Sequence, residues 1–204
     1  AASIVSSPGL QVIAEAHGMG FSTTATGFKW ISRVPGLVYG FEEALGYLVN
    51  PGTVRDKDGI SALLRVLTLA HELHAHGSSL ADELIALAAE FGGFASGQVS
   101  LRVSDRSRIP AIVQRLKDAP PAQLAGSDVV AADDLALPEH GAVGDILRLT
   151  LADGARVMVR PSGTEPKVKV YVDAVSTHGS PHERIHAAEA RVEALKEAMR
   201  PLLD

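Results

Sequence analysis

Residues 159 to 173 read VRPSGTEPKVKVYVD. Between two β-prone stretches this segment gathers Arg160, Ser162, Gly163, Thr164, Lys167 and Lys169, with Pro161 and Pro166 at either end. Gly163 can take positive φ and lets the backbone approach a ligand closely. Ser162 and Thr164 add hydroxyl donors, and consecutive amides in such a turn form an anion-binding nest. Arg160 offers a planar fork that meets a phosphate through two N–H groups, and the two lysines add positive charge. The prolines stiffen both ends and lower the entropy lost on binding. These residues would hold a tetrahedral dianion. They serve equally well as a tight strand connection with solvated charges, because single Gly-Ser-Thr loops are common. The lysine spacing is not that of a Walker loop.

Two other stretches invite a metal. HELHAH, residues 71 to 76, has the wrong spacing for a zinc protease, since the residue four after His71 is Ala75. His71 and His74 share a helix face without a third ligand, which reads as a solvated helix end. RDKDG, residues 55 to 59, has some likeness to a calcium loop, but its glycine is misplaced and no glutamate closes it. Asp56 and Asp58 are better placed as turn and cap residues. No metal ligand set is assigned.

The chain that must position these groups has 204 residues, 46% apolar and 21% charged, with a formal net charge of −5. That is ordinary for a globular protein and argues against a general nucleic-acid binder, whose footprint is a basic excess. The chain has no cysteine, which excludes disulfides, thiol catalysis and Cys-based zinc sites and fits a reducing, cytoplasmic compartment. No apolar run reaches the roughly 18 residues of a membrane span. The start, AASIVSSPGL, lacks the basic and apolar regions of a signal peptide and has no initiator methionine. It opens inside a β-α unit, so a fragment of a longer protein is expected.

Residues 3 to 5 read as a strand, followed by a helix with Leu10, Ile13 and Ala14 on one stripe and glycine at its end. TGFKWISRV runs from a loop into a helix, and LVYGFEEALGYLV reads strand, loop, strand. Asp58 caps a long helix whose Ile60, Leu63, Leu64, Leu67 and Leu73 build one apolar face. Ser79 and Asp82 cap the next helix, and Gly92 stops it. GGFASGQ is the clearest linker. Beyond it come a strand VSLRV, a helix from DRSRIPAIVQRLKD, and a hairpin turning at Asp153 and Gly154. A strand follows, alternating Val168, Val170 and Val172 with Lys169, Tyr171 and Asp173. The closing helix has a capping box in Ser180 and Glu183, and its buried stripe is Ile185, Ala188, Val192, Leu195, Met199 and Leu202. The second half is thus an antiparallel sheet with two helices.

RPSGTEPKVKVY resembles the phosphate-binding loop of the α-D-phosphohexomutases, the phosphoglucomutase and phosphomannomutase superfamily. Three more stretches agree in order: TGFKW with a substrate-side loop, GFEEALGY with the sugar-binding loop, and RDKDG with the segment carrying an active-site lysine. The resemblance covers nearly the whole chain but only the back half of a four-domain enzyme. It implies an α/β plus α+β chain. Residues 1 to 92 would be the C-terminal part of domain III, a mixed sheet with helices, and residues 97 to 204 would be domain IV, a small α+β domain.

The resemblance also assigns roles. Thr26 would face the substrate, with Gly27 keeping that loop tight. Glu42 would accept hydrogen bonds from two sugar hydroxyls, as a carboxylate can, while Glu43 beside it would be a surface glutamate. Ala44 stands where many relatives have a sugar-contacting serine, which leaves the sugar preference open. Lys57 would be the catalytic lysine, offsetting charge as a phosphoryl group transfers. Arg160, Ser162 and Thr164 would clamp the non-transferring phosphate, with Gly163 structural within the clamp and Lys169 adding charge from the next strand.

The family's reaction interconverts hexose 1-phosphates and 6-phosphates of glucose or mannose, through a phosphoserine enzyme and a bisphosphorylated sugar. It uses magnesium and a glucose 1,6-bisphosphate-type activator. The chain shows neither an Asp-x-Asp-x-Asp run nor a serine in the nucleophile's context. It would therefore bind phosphosugar, depend on missing N-terminal domains for chemistry, and be inactive alone. The alternatives are a mutase for an amino-sugar or pentose phosphate, or a stand-alone non-catalytic phosphosugar-binding module.

Overall fold

The structure, a computed structural model, describes residues 1–105, 107–140, 143–163 and 165–203. Thr164 of the predicted phosphate loop lies outside the described residues. The chain divides into two compact units, Ala1–Phe91 and Gly92–Asp204.

The first unit has four short strands, β1 (Ala2–Ser3), β2 (Thr23–Thr24), β3 (Gly40–Glu42) and β4 (Gly46–Leu48), in the order β2-β1-β3-β4. β1 runs parallel to both β2 and β3, and β3 turns back into β4, so the sheet is mixed. Its helices are α1 (Gly9–Ala16), α2 (Phe28–Ile31), α3 (Gly59–Ala75) and α4 (Leu80–Phe91). Asp58 caps α3 by accepting from the amides of Ile60 and Ser61. At α4, Ser79 Oγ accepts from the Asp82 amide at 3.2 Å and donates to the Asp82 carboxylate at 2.6 Å. Phe28, Ile31 and Leu48 form a small core under the β3–β4 hairpin.

The apolar stripe expected on α3 is not buried. No residue of α3 is buried, and Ile60 is 74% and Leu64 61% exposed. Helical periodicity identifies the stripe, but whether it is covered depends on neighbouring elements, which local spacing does not encode.

The second unit is a six-stranded antiparallel sheet with α5 (Arg108–Asp118) and α6 (Pro181–Met199) packed against it. Its strands are β5 (Gly93–Arg102), β6 (Gln123–Leu124), β7 (Ser127–Asp134), β8 (Leu147–Leu151), β9 (Arg156–Pro161) and β10 (Lys167–Ser176), in the order β5-β10-β9-β8-β7-β6. Val168, Val170 and Val172 are fully buried against Ile112, Leu116, Val192 and Leu195. Burying each such side chain contributes about 1.5–3 kcal/mol. The Ser180–Glu183 capping box forms in both directions, and α6 buries Ala188, Val192, Leu195 and Met199.

One expectation is corrected here. GGFASGQ is not a linker: residues 93 to 102 pair with β10 along their whole length. A Cβ on Gly93 would lie 2.3–2.5 Å from the Arg184 and Ile185 backbone of α6. The glycine therefore serves close packing of helix on strand, the same composition that marks loops elsewhere. Asp173, on the face of β10 opposite to the alternating valines, is 4% exposed. Both its oxygens are engaged by its register partners, Oδ1 by Ser96 Oγ at 2.6 Å and Oδ2 by Arg156 Nε at 2.8 Å. That pairing offsets the cost of burying its charge.

Candidate functional site

In the first unit, three of the singled-out stretches meet at the β3–β4 hairpin. Glu42 ends β3 opposite Gly46. A Cβ on Gly46 would lie 2.9 Å from the Phe28 ring and 3.1 Å from Lys57 Cδ, so glycine lets TGFKW and RDKDG pack on the hairpin together. The Asp58 amide donates to the Tyr47 carbonyl at 2.8 Å, tying RDKDG to β4. Lys57 Nζ then lies 5.4 Å from the centre of the Phe28 ring and 3.8 Å from Glu42 Oε1.

The Glu42 side chain is 12% exposed, and its Oε2 is buried without a hydrogen-bond partner. Burying an unpaired carboxylate oxygen is costly, so this atom is an acceptor awaiting a donor. Thr26 is half-buried just before Gly27, whose φ of 110° precedes α2 and whose carbonyl accepts from the Trp30 amide at 3.0 Å. The Thr26 hydroxyl has no hydrogen-bond partner among the described residues.

Glu43 departs from its expected solvated role. Its Oε2 accepts from Ser3 Oγ at 3.0 Å and Ser6 Oγ at 3.1 Å, both serines being buried. Sequence reasoning missed it because Ser3 and Ser6 stand 40 and 37 positions away.

In the second unit, the loop joining β9 to β10 closes when the Ser162 amide donates to the Lys167 carbonyl at 2.9 Å. Ser162 is buried, and its Oγ accepts from the Glu165 amide at 3.3 Å, which leaves the hydroxyl proton to donate elsewhere. Gly163 does not use the left-handed region, and a Cβ on it would meet nothing within 4 Å. Neither its conformation nor its packing requires glycine.

The loop's cations divide into two groups. Glu165 Oε2 takes Arg102 at 2.6 Å and its Oε1 takes Lys167 at 2.6 Å. The Lys167 ammonium, with Arg102 beside it, holds the Glu165 carboxyl below the usual carboxylate range. Arg160 and Lys169 stand directly across from each other in the ladder. Among the described residues neither has a carboxylate partner: Arg160 Nε donates to the Pro161 carbonyl at 3.3 Å, and Lys169 Nζ lies 5.8 Å from the Tyr171 ring centre. Arg102 and Glu165 were not singled out from the sequence, because their pairing depends on β5 lying beside β10.

Among the described residues, no group of three or more His, Asp or Glu side chains could hold a metal ion. The described residues thus offer no donor set that fits a magnesium ion. No helix among the described residues is long and apolar enough to cross a membrane.

A mixed-sheet unit with helices, followed by an antiparallel unit with two helices, makes this an α/β plus α+β protein. Residues 1–91 match the phosphoglucomutase/phosphomannomutase alpha/beta/alpha domain III, and residues 99–192 match the C-terminal domain of the same family. The chain belongs to the phosphoglucomutase/phosphomannomutase family.

A probable phosphomannomutase of Haemophilus influenzae is 48% identical over 174 residues, covering 85% of this chain and 36% of the relative. A phosphoglucomutase of Staphylococcus epidermidis is 30% identical over 198 residues, covering 86% of this chain and 36% of the relative. The chain thus spans little more than a third of the length of these relatives. A Paramecium phosphoglucomutase, pp63/parafusin, superposes with a TM-score of 0.62 at 16% identity, over 98% of this chain and 37% of that one. An N-acetylglucosamine-phosphate mutase gives a TM-score of 0.53 at 18% identity, over 98% and 38%. These two likenesses are of fold.

Proposed function

We propose that the chain carries the sugar-reading and phosphate-clamping part of a phosphohexomutase that interconverts hexose 1-phosphate and 6-phosphate, with glucose or mannose as the sugar. The observation that carries this reading is Glu42, whose Oε2 is buried without a partner while its Oε1 lies 3.8 Å from Lys57 Nζ. Two neighbouring sugar hydroxyls can both donate to such a carboxylate. Lys57, half-exposed next to it, offsets charge on a phosphoryl group passing to or from the sugar. Gly27 fixes the turn that presents Thr26.

In the second unit Arg160 and Lys169 supply the charge that a phosphate dianion neutralises. Ser162 contributes its hydroxyl proton and Thr164 a second hydroxyl, and Gly163, which the fold does not need, leaves room for the anion. Residues 1 to 92 would be the C-terminal part of domain III, and residues 97 to 204 would be domain IV. The phosphoserine and the metal site would come from the rest of a longer protein, so the isolated chain binds phosphosugar without turning it over. Relatives named for both mannose and glucose support a hexose phosphate.

The test is an NMR titration of the chain with glucose 1-phosphate, inorganic phosphate and free glucose. Shifts at residues 160 to 169 with either phosphate, and at Glu42 and Lys57 with the sugar phosphate only, are expected. Equal shifts with inorganic phosphate and sugar phosphate would reduce the reading to an anion clamp. No shifts at either place would overturn it.

A further inference from the structure

The hairpin that ends β3 at Glu42 turns through Glu43, Ala44 and Leu45 before resuming at Gly46. Leu45 has a φ of 59°, in the left-handed region that leucine rarely occupies. Its side chain is 81% exposed, so its own packing does not hold it there. The turn is held two residues earlier. Glu43 Oε2 draws both buried hydroxyls, Ser3 Oγ at 3.0 Å and Ser6 Oγ at 3.1 Å, and the two serine oxygens lie 2.8 Å apart. Ser3 belongs to β1, which is paired with β3, and Ser6 lies in the segment that follows it. The two grips therefore anchor the turn to β1, an inner strand of the sheet, and to the segment just after it.

We propose that Glu43 is a positioning residue. Ser3 and Ser6 grip its carboxylate, hold the 43–45 turn in its strained form, and thereby fix Glu42 with its inner oxygen buried and ready to accept. The proposal rests on the reading of Glu42 as the sugar acceptor. The physical logic is preorganisation: strain at the turn persists only because surrounding contacts over-determine it. A carboxylate fixed in advance loses less freedom when a sugar arrives. Without the grip, Leu45 relaxes, the end of β3 loosens, and Glu42 turns out to water.

The test uses Glu43→Ala, Glu43→Gln and a Ser3→Ala/Ser6→Ala double variant, with two readouts. Hydrogen exchange reads the grip itself. Glu43→Ala should speed exchange of the amides of residues 42 to 47 by about ten-fold or more, leaving α4 unchanged. NMR titration reads its consequence. The same variant should weaken glucose 1-phosphate binding by about ten-fold while leaving inorganic phosphate affinity unchanged. Glu43→Gln keeps an oxygen that accepts from both hydroxyls and should retain most of both properties. Adding Leu45→Gly to Glu43→Ala removes the strain and should recover part of the lost affinity.

Unchanged exchange in both Glu43→Ala and the double serine variant would overturn the proposal, as would faster exchange with sugar phosphate affinity intact. Should Glu43→Ala fail to fold, the double serine variant removes the same contacts from the other side. If the unaltered protein binds glucose 1-phosphate no better than inorganic phosphate, it is the sugar-site reading that fails. The exchange result then decides the grip by itself.

Discussion

Arg160 and Lys169 face each other across the β9–β10 ladder as a register pair, two cations with no carboxylate between them among the described residues. Like charges directly opposite in a sheet are destabilising by up to about 1 kcal/mol. A bound dianion would reverse the sign. Lys169→Gln is therefore expected to raise the melting temperature slightly in phosphate-free buffer and to shrink the rise that added phosphate produces. Calorimetry with and without phosphate checks both halves, since ligand at a hundred times its Kd adds about 2.7 kcal/mol. A Lys169→Gln protein as responsive to phosphate as the parent would remove Lys169 from the clamp.

In the proposed phosphate clamp, Arg160 would carry the directional part. A hydrogen bond to a charged group is worth about 1.5–3 kcal/mol, so Arg160→Ala should weaken phosphosugar binding roughly ten- to a hundred-fold. Arg160→Lys keeps the charge but loses the fork and should recover only part of the loss. Isothermal titration of the three proteins is the check, and equal affinities throughout would count against the assignment.

Gly93 and Gly163 predict opposite outcomes for one substitution. Gly93→Ala would press a methyl group into the α6 backbone at Arg184 and should cost about 1–3 kcal/mol or more in urea unfolding. Gly163→Ala meets open space and should leave stability nearly unchanged while lowering phosphate affinity. Two equally stable variants would mean that helix and strand are not packed as described.

Glu165 makes the β9–β10 loop sensitive to acid. Its pKa is depressed, chiefly by Lys167 and then by Arg102. A depressed carboxylate contributes stability that is complete above its unfolded value, about 4.3, and is lost as pH falls through the lower folded value. The tether to Arg102 and Lys167 should thus be unaffected between pH 5 and 8 and release only as pH falls through that lowered value. Following the Glu165 carboxyl carbon by NMR, Arg102→Ala should move its titration upward; no movement would contradict the pairing.

Hydrogen exchange should separate the two units. α3 buries none of its residues, whereas α6 buries four along one stripe. Amides of α3 are expected to exchange faster than those of α6 and β10, since few buried contacts mean low local stability. The reverse order would contradict this.

Much of the local structure was legible in the sequence. Asp58, the Ser180–Glu183 box and the Asp153–Gly154 turn act through neighbours within four positions, where the backbone itself dictates the partner. The valines of β10 announced its buried face by alternation. β7 was not anticipated: SDVVAADD has only two valines among aspartates and alanines, a composition that does not read as a strand until β8 pairs beside it. The Gly-rich stretch at 92 to 98 read as a linker for the same reason, because glycine chosen for close packing looks like glycine chosen for freedom.

By itself, then, the sequence determined the kinds of elements, their caps and turns, the family resemblance and the residue types proposed to bind a phosphosugar. Tertiary structure decided which of those residues meet. It placed Lys57 beside Glu42 over Gly46, set Arg160 opposite Lys169, gave Glu165 to Arg102 and Lys167, and closed Ser3 and Ser6 on Glu43. It also left the α3 stripe uncovered. The physical reason is range: propensity, capping and periodicity act over a few residues, whereas charge pairing and burial depend on strands brought together from distant parts of the chain.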